Sequence, residues 1–136
     1  MARRMKRSKY GAKKVVVDGI RFDSEKEGKR YKTLREMEER GEISDLQMQK
    51  EYELLPAIYH EETVVKHLKT KDKVETKRVC DQRAVVYKAD FVYNDNILGT
   101  EVVEDVKGSK FTITKEFKLK EKMMFALLGI RIRIVL

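Results

Sequence analysis

The sequence is poor in the residues that staple, kink or coordinate. Of its 136 residues one is cysteine, one is proline, two are histidine and none is tryptophan. A lone Cys80 excludes an internal disulfide and fits a reducing cytoplasmic compartment. Cys80, His60 and His67 do not fall at zinc-ligand spacing. With Pro56 the only proline, nearly all of the chain is open to helix and sheet hydrogen bonding. No apolar run approaches the ~20 residues of a membrane span, so no membrane partner is expected. The first fourteen residues, MARRMKRSKYGAKK, contain no acid, and no apolar stretch follows them, so they do not read as a secretory signal.

Charge is abundant instead. Charged residues make up 40% of the chain and apolar residues 41%, the composition of a folded, highly charged domain. The length suits one domain with a modest core. The net charge is +8, and residues 1–14 carry seven of the basic groups: Arg3, Arg4, Lys6, Arg7, Lys9, Lys13 and Lys14. The remainder is thus close to neutral. A basic arm of this kind suits a polyanion, because each phosphate neutralised releases a counterion. It suits equally a solubilising tail.

Periodicity orders the rest. KKVVVDGIRF predicts a short hairpin around Asp18-Gly19. Ser24 and Gly41 bracket a helix at 25–40 as N-cap and C-terminal glycine. A strand over 46–55 stops at Pro56. Residues 57–82, rich in Lys, Glu and Thr, read as a flexible insertion: an exposed hairpin or a mobile loop. RAVVYKADFVY (83–93) is a strong strand, Asn94-Asp95-Asn96 a turn, and GTEVVEDVKG the antiparallel return. Thr112 caps a helix at 113–128 that Gly129 ends, with Ile113, Phe117, Met124 and Leu128 as its apolar stripe. IRIRIVL closes the chain as a strand reached by a parallel crossover. The expected fold class is α/β: a mixed sheet of about four strands flanked by helices, in the order α-β-β-β-α-β, plus the N-terminal hairpin. The expected division is an arm, 1–14, and a single domain, 15–136.

The stretch VVEDVKG (102–108) carries the chemistry. Side chains alternate faces along a strand, so Asp105 and Lys107 share one face while Val102, Glu104 and Val106 take the other. Asp90, in KADF on the preceding strand, comes close to Asp105 if the two strands pair. Two neighbouring carboxylates repel, and each needs a cation. Lys107 offers one charge and Mg²⁺ two, and Mg²⁺ takes hard oxygen ligands. Glu27 shares a helical stripe with Tyr31 and Leu34 at i, i+4, i+7, and an acid on an inward stripe needs a partner. Such a set fits phosphodiester hydrolysis, with an ion held by Asp90 and Asp105 and with Lys107 orienting water or stabilising the phosphate charge. Each residue also has a plainer reading. Glu27 completes the S-x-x-E capping box with Ser24. Asp105 and Lys107 form a solvated pair, and Asp90 ends a strand.

Glu on the first helix, then AD, then DVK resembles the PD-(D/E)XK nuclease superfamily, whose core has the element order read above. Ala89 stands where the motif name has proline. The stretches SKYGAKKVVVDGIRFDSEKEGKRY, GEISDLQMQKEYELLP, YKADFVY and VVEDVKG are similar to a family of small phage proteins. A looser likeness is to the phage junction-resolving endonuclease I, a dimer acting on branched DNA. The resemblance implies a restriction-endonuclease-like core. Its catalytic residues are Glu27, Asp90, Asp105 and Lys107. Its metal site is Asp90, Asp105 and the Val106 carbonyl, with Glu27 joining through water. Mg²⁺ is the implied cofactor, with Mn²⁺ as substitute. The implied activity is cleavage of DNA, branched or in recombination or replication, by a homodimer in the host cytoplasm. Lys110, Lys115 and Lys118, near the N-terminus of the second helix, join the arm as candidate DNA contacts or form a solvated face. Gln47 and Gln49 resemble a polar pair recurring in the phage group, with no role assigned. The competing reading is an inactive nucleic-acid-binding protein on the same fold.

Overall fold

The computed structural model describes residues 13–136. The arm residues Arg3, Arg4, Lys6, Arg7 and Lys9 lie outside the described residues. The architecture is mixed α/β and strand-rich. Its elements are β1 (Val15–Val17), β2 (Ile20–Phe22), α1 (Glu25–Glu39), β3 (Ile43–Leu55), β4 (Ile58–His67), β5 (Asp72–Gln82), β6 (Val85–Asp95), β7 (Thr100–Val106), α2 (Lys115–Leu128) and β8 (Ile132–Val135). Strands β3-β6-β7-β8 form one sheet, and β1-β2 and β4-β5 are separate hairpins. The chain divides into two compact units, one ending at Lys50 and resuming over Lys88–Leu136, the other Glu51–Tyr87. Among the described residues no helix is long and apolar enough to cross a membrane.

In the first unit β6 and β7 are antiparallel, with Phe91 opposite Glu104 and Tyr93 opposite Val102. β7 and β8 are parallel, with Asp105 opposite Ile134. The strand–helix–strand reading of the C-terminal third therefore holds. Phe22, Tyr31, Leu34, Ile43, Phe91, Tyr93 and Val102 form the core between α1 and the sheet. Tyr31 and Leu34 are the inward stripe of α1, and Phe91, Tyr93 and Val102 are the alternate residues of their strands that meet it. Gly28 brings α1 close to the N-terminal hairpin: a Cβ there would stand 2.8 Å from Val15 Cγ2.

Three boundaries differ from the sequence expectation, each because a polar side chain is used elsewhere. β3 begins at Ile43 rather than 46. Asp45, outside the expected strand, is accommodated inside β3 at φ 54°, with its Oδ2 accepting from Asn94 Nδ2 at 3.0 Å. Asn94 thus links two strands rather than making a turn. β6 runs on to Asp95, whose Oδ1 accepts the Ile97 and Leu98 N–H groups and so starts the turn. α2 is capped by Thr114, not Thr112: Thr114 Oγ1 accepts the Phe117 N–H at 3.0 Å, whereas Thr112 Oγ1 donates to Ser109 O at 2.7 Å. The inward stripe of α2 is correspondingly shorter. Phe117 and Met124 are buried, Ile113 precedes the helix, and Leu128 is exposed. Gly129 ends α2 in the left-handed region, φ 68°.

In the second unit, residues expected as a hairpin or loop form a two-stranded ribbon, β4 paired antiparallel to β5 from Ile58↔Gln82 to His67↔Asp72. β-branched residues, Val64, Val65, Val74, Val79, Thr63 and Thr76, favour extended backbone on both strands.

Candidate functional site

The β6–β7 ladder runs inward from Asp95↔Thr100 to Phe91↔Glu104. At the next position a side chain replaces the backbone: Asp90 Oδ2 accepts the Val106 N–H at 2.7 Å. Asp105, on the same face of β7 as Lys107, pairs with Lys107 Nζ through its Oδ1 at 2.9 Å. Lys107 Nζ also lies 4.1 Å from the centre of the Phe117 ring. The ammonium is therefore held between a carboxylate and an aromatic face supplied by α2. The Lys107 backbone N–H donates to Val135 O at 2.8 Å, tying this stretch to β8.

Glu27 enters from α1. Its backbone N–H donates to Ser24 Oγ at 3.2 Å, the N-cap half of the capping reading. Its carboxyl is half-buried. Desolvation pushes its pKa up, Asp23 and Asp105 repel its charge, and the Asp23 backbone and Lys107 oppose the shift. Capping and convergence on the β7 site thus occur in the same residue.

The same mutual influence marks Asp90. Burial, then the charges of Asp105 and Glu27, push it up to about 7, against the opposing pull of the Val106 N–H and Lys107. Glu27, Asp90, Asp105 and Lys107, drawn from one helix and two strands, therefore act on one another. Three carboxylates and one lysine are gathered there. Among the described residues no group of three or more His, Cys, Asp or Glu side chains is already disposed to hold a metal ion. The donor chemistry nonetheless fits Mg²⁺, which takes one or two carboxylates and fills its remaining positions with water and phosphate oxygens. Asp90, Asp105 and the Val106 carbonyl are all hard oxygen donors.

An open cavity of about 540 Å³ adjoins this cluster. Glu27, Val106 and Lys107 line it, with Lys13, Lys26 and Thr112. Of the lysines proposed from sequence to meet DNA, Lys13 is at this cavity, and Lys14, Lys110, Lys115 and Lys118 are exposed elsewhere on the unit. Lys26 was not anticipated. Its Nζ donates to Gly108 O at 2.7 Å and ties α1 to the loop after β7. Gln47 is exposed, and Gln49 is half-buried with φ 56°.

A second network, also unanticipated, lies on the other face of β7. Glu104 is fully buried. It accepts two bonds from the Arg30 guanidinium, at 2.9 and 2.6 Å, and one from Tyr93 Oη at 2.5 Å, with Arg133 3.9 Å away. The bond from Arg30 is bidentate and charge-assisted. Burial, then Glu104, raise the Tyr93 hydroxyl to about 12, so it stays a donor. Arg30 lies one turn after Glu27, and Glu104 is adjacent to Asp105. The pair therefore clamps α1 to β7 next to the site. Its signal in the sequence was an acid spaced two residues from Val102 and from Val106.

Comparison with known proteins adds a family and no activity. No curated protein and no solved structure matches the chain. Residues 7–131, nearly the whole chain, match the family described as "Protein of unknown function (DUF1064)", and the chain belongs to that family.

Proposed function

We propose that this protein is a Mg²⁺-dependent DNA endonuclease of restriction-endonuclease-like fold that hydrolyses phosphodiester bonds, with branched recombination or replication intermediates as its substrates. The observation that carries this reading is the convergence of Glu27, Asp90, Asp105 and Lys107 beside an open cavity with lysines at its wall. The element order and the sheet β3-β6-β7-β8, antiparallel at β6-β7 and parallel at β7-β8, support the resemblance read from the sequence.

Asp90, Asp105 and the Val106 carbonyl would hold Mg²⁺, with Glu27 reaching it through water and Mn²⁺ as substitute. The ion supplies Lewis acidity toward a phosphate oxygen and acidifies bound water. The chain's own residues do the rest. Lys107, held by Asp105 and the Phe117 ring, presents a fixed ammonium to charge developing on phosphate or orients the attacking water. Lys13 and Lys26 place positive charge along the cavity where the DNA backbone would lie. Two cuts on a branched substrate would most simply come from a two-fold dimer.

The test is incubation with supercoiled plasmid, linear duplex and a four-way junction, in Mg²⁺, Mn²⁺ or EDTA. Cleavage that requires the ion, is fastest on the junction and disappears in Lys107→Ala is the expected result. Salt-sensitive binding with no cleavage under any condition would replace this reading with the inactive nucleic-acid-binding protein.

A further inference from the structure

The β4–β5 ribbon is exposed on both faces: Val64, Glu75 and Val79 are half-buried, and every other residue of the two strands is exposed. A two-stranded ribbon alone is marginal in water, so one of this length calls for a partner. Its charge is segregated along its length. The distal stretch 66–73, KHLKTKDK, holds four lysines and one aspartate. The rest of the ribbon holds Glu61, Glu62, Glu75 and Asp81 against Lys77 and Arg78.

The distal cations are also forced together. Lys66 and Lys73 stand directly opposite each other, an unfavourable like-charge pair. Glu75 lies between them, 3.0 Å from each ammonium. Asp72 pairs with His67 at 2.8 Å. Asp72 and Glu75, the acids nearest the tip, are thereby engaged. Lys69 and Lys71, at the turn closed by the Leu68 N–H to Lys71 O bond, have no carboxylate partner among the described residues. Two unneutralised ammonium groups thus sit at the end of a rod ten residues long, about 33 Å. A two-stranded ribbon has the width that the DNA major groove admits.

We propose that the tip of the β4–β5 ribbon is a DNA-contacting arm, with Lys69 and Lys71 as its phosphate contacts. The arm adds to the nuclease cavity as a binding surface, and it rests on the reading of DNA as the substrate. Lys66 and Lys73, shared with Glu75, shape the tip rather than neutralise phosphate.

Counterion release makes the contact countable. Binding of a labelled 30-base-pair duplex is followed by fluorescence anisotropy in EDTA, between about 50 and 300 mM KCl. Each phosphate contact contributes about 0.9 to the slope of log Kd against log salt. The variant Lys69→Ala/Lys71→Ala should therefore lose about 1.8 from the wild-type slope, and Lys69→Arg/Lys71→Arg should restore it. Circular dichroism and thermal melts of all three proteins establish that the ribbon still folds. An unchanged slope in a folded alanine variant overturns the arm while leaving the nuclease reading intact. Wild-type protein that shows no salt-dependent binding removes both. Should the slope be unchanged while Val65→Lys/Val74→Lys converts a dimer to a monomer, the ribbon is a self-association arm instead.

Discussion

Glu104 and Asp105 are consecutive residues on opposite faces of β7, and their surroundings are opposite as well. Glu104 is buried deeper, yet its charge is fully answered by two bonds from Arg30 and one from Tyr93. Asp105 pairs with Lys107, and beside it the pKa values of Asp90 and Glu27 are raised, first by burial and then by neighbouring carboxylates. One face uses charge to fix a helix to a strand. The other gathers three carboxylates and a lysine beside a cavity. Carboxylates with raised pKa values grouped at a cavity mark a candidate site, and the proposed reading would place an added cation there.

Arg30→Ala unbalances the first face by leaving Glu104 buried without its cation. The expected loss of stability is about 3–5 kcal/mol, read by urea denaturation. Arg30→Met/Glu104→Leu removes both charges and should recover most of that loss. A single Arg30→Ala that melts like wild type would show that the clamp holds nothing.

How far the sequence carries toward these two faces differs in an instructive way. Alternation along 102–108 separates Asp105 and Lys107 from Glu104, and the α1 stripe places Glu27 with Tyr31 and Leu34. Those are local periods, and local periods survive folding. Glu104 was legible as an acid among core valines, but its partners were not. Arg30 is 74 residues away and Tyr93 is 11, so only the assembled sheet and helix select them. Ser24 and Gly129 cap their helices as expected, but one cap failed in the same manner. Thr112 and Thr114 are equally good N-caps in sequence, and the choice falls to Thr114 because the Thr112 hydroxyl is bonded to Ser109. Asn94 reads as a turn residue until Asp45, 49 residues away, accepts its amide. The ribbon reads as either hairpin or loop in the sequence because its alternation is weak when both faces are wet.

A second prediction unbalances the other face in the opposite sense. The Asp90 carboxyl, with its pKa raised from 3.8 to about 7, holds its proton more tightly in the folded chain than in the unfolded one. The folded state therefore binds more protons, and stability falls as pH rises from about 4 to about 7. The fall amounts to at most about 4 kcal/mol in metal-free protein, at about 1.36 kcal/mol per pKa unit. His60, raised by its bonds to Glu62 and Asp81, has the same sign, so the useful quantity is a difference. Stability measured in EDTA at pH 5 and pH 8 should drop in the wild type more than in Asp90→Asn. Asp90→Asn should be the more stable protein at pH 8. Equal pH slopes for the two proteins would mean that neither burial nor the charges of Asp105 and Glu27 raise Asp90.

The smallest effect is the most selective. If the clustered carboxylates bind a divalent ion, that ion should stabilise the wild type at pH 8 and leave variants of the cluster alone. At tenfold excess over its Kd a ligand that binds only the folded state contributes about 1.4 kcal/mol. Thermal melts in Mg²⁺ and in EDTA should therefore separate by several degrees for the wild type. They should coincide for Asp90→Asn and Asp105→Asn. Arg30→Met/Glu104→Leu, altered only on the balanced face, should keep the shift, because its metal-facing oxygens are untouched. The same Mg²⁺ shift in Asp105→Asn as in the wild type would place the ion elsewhere. The raised Asp90 and Glu27 carboxyls would then point to a cationic partner other than a metal, and a positively charged segment would be the first to test.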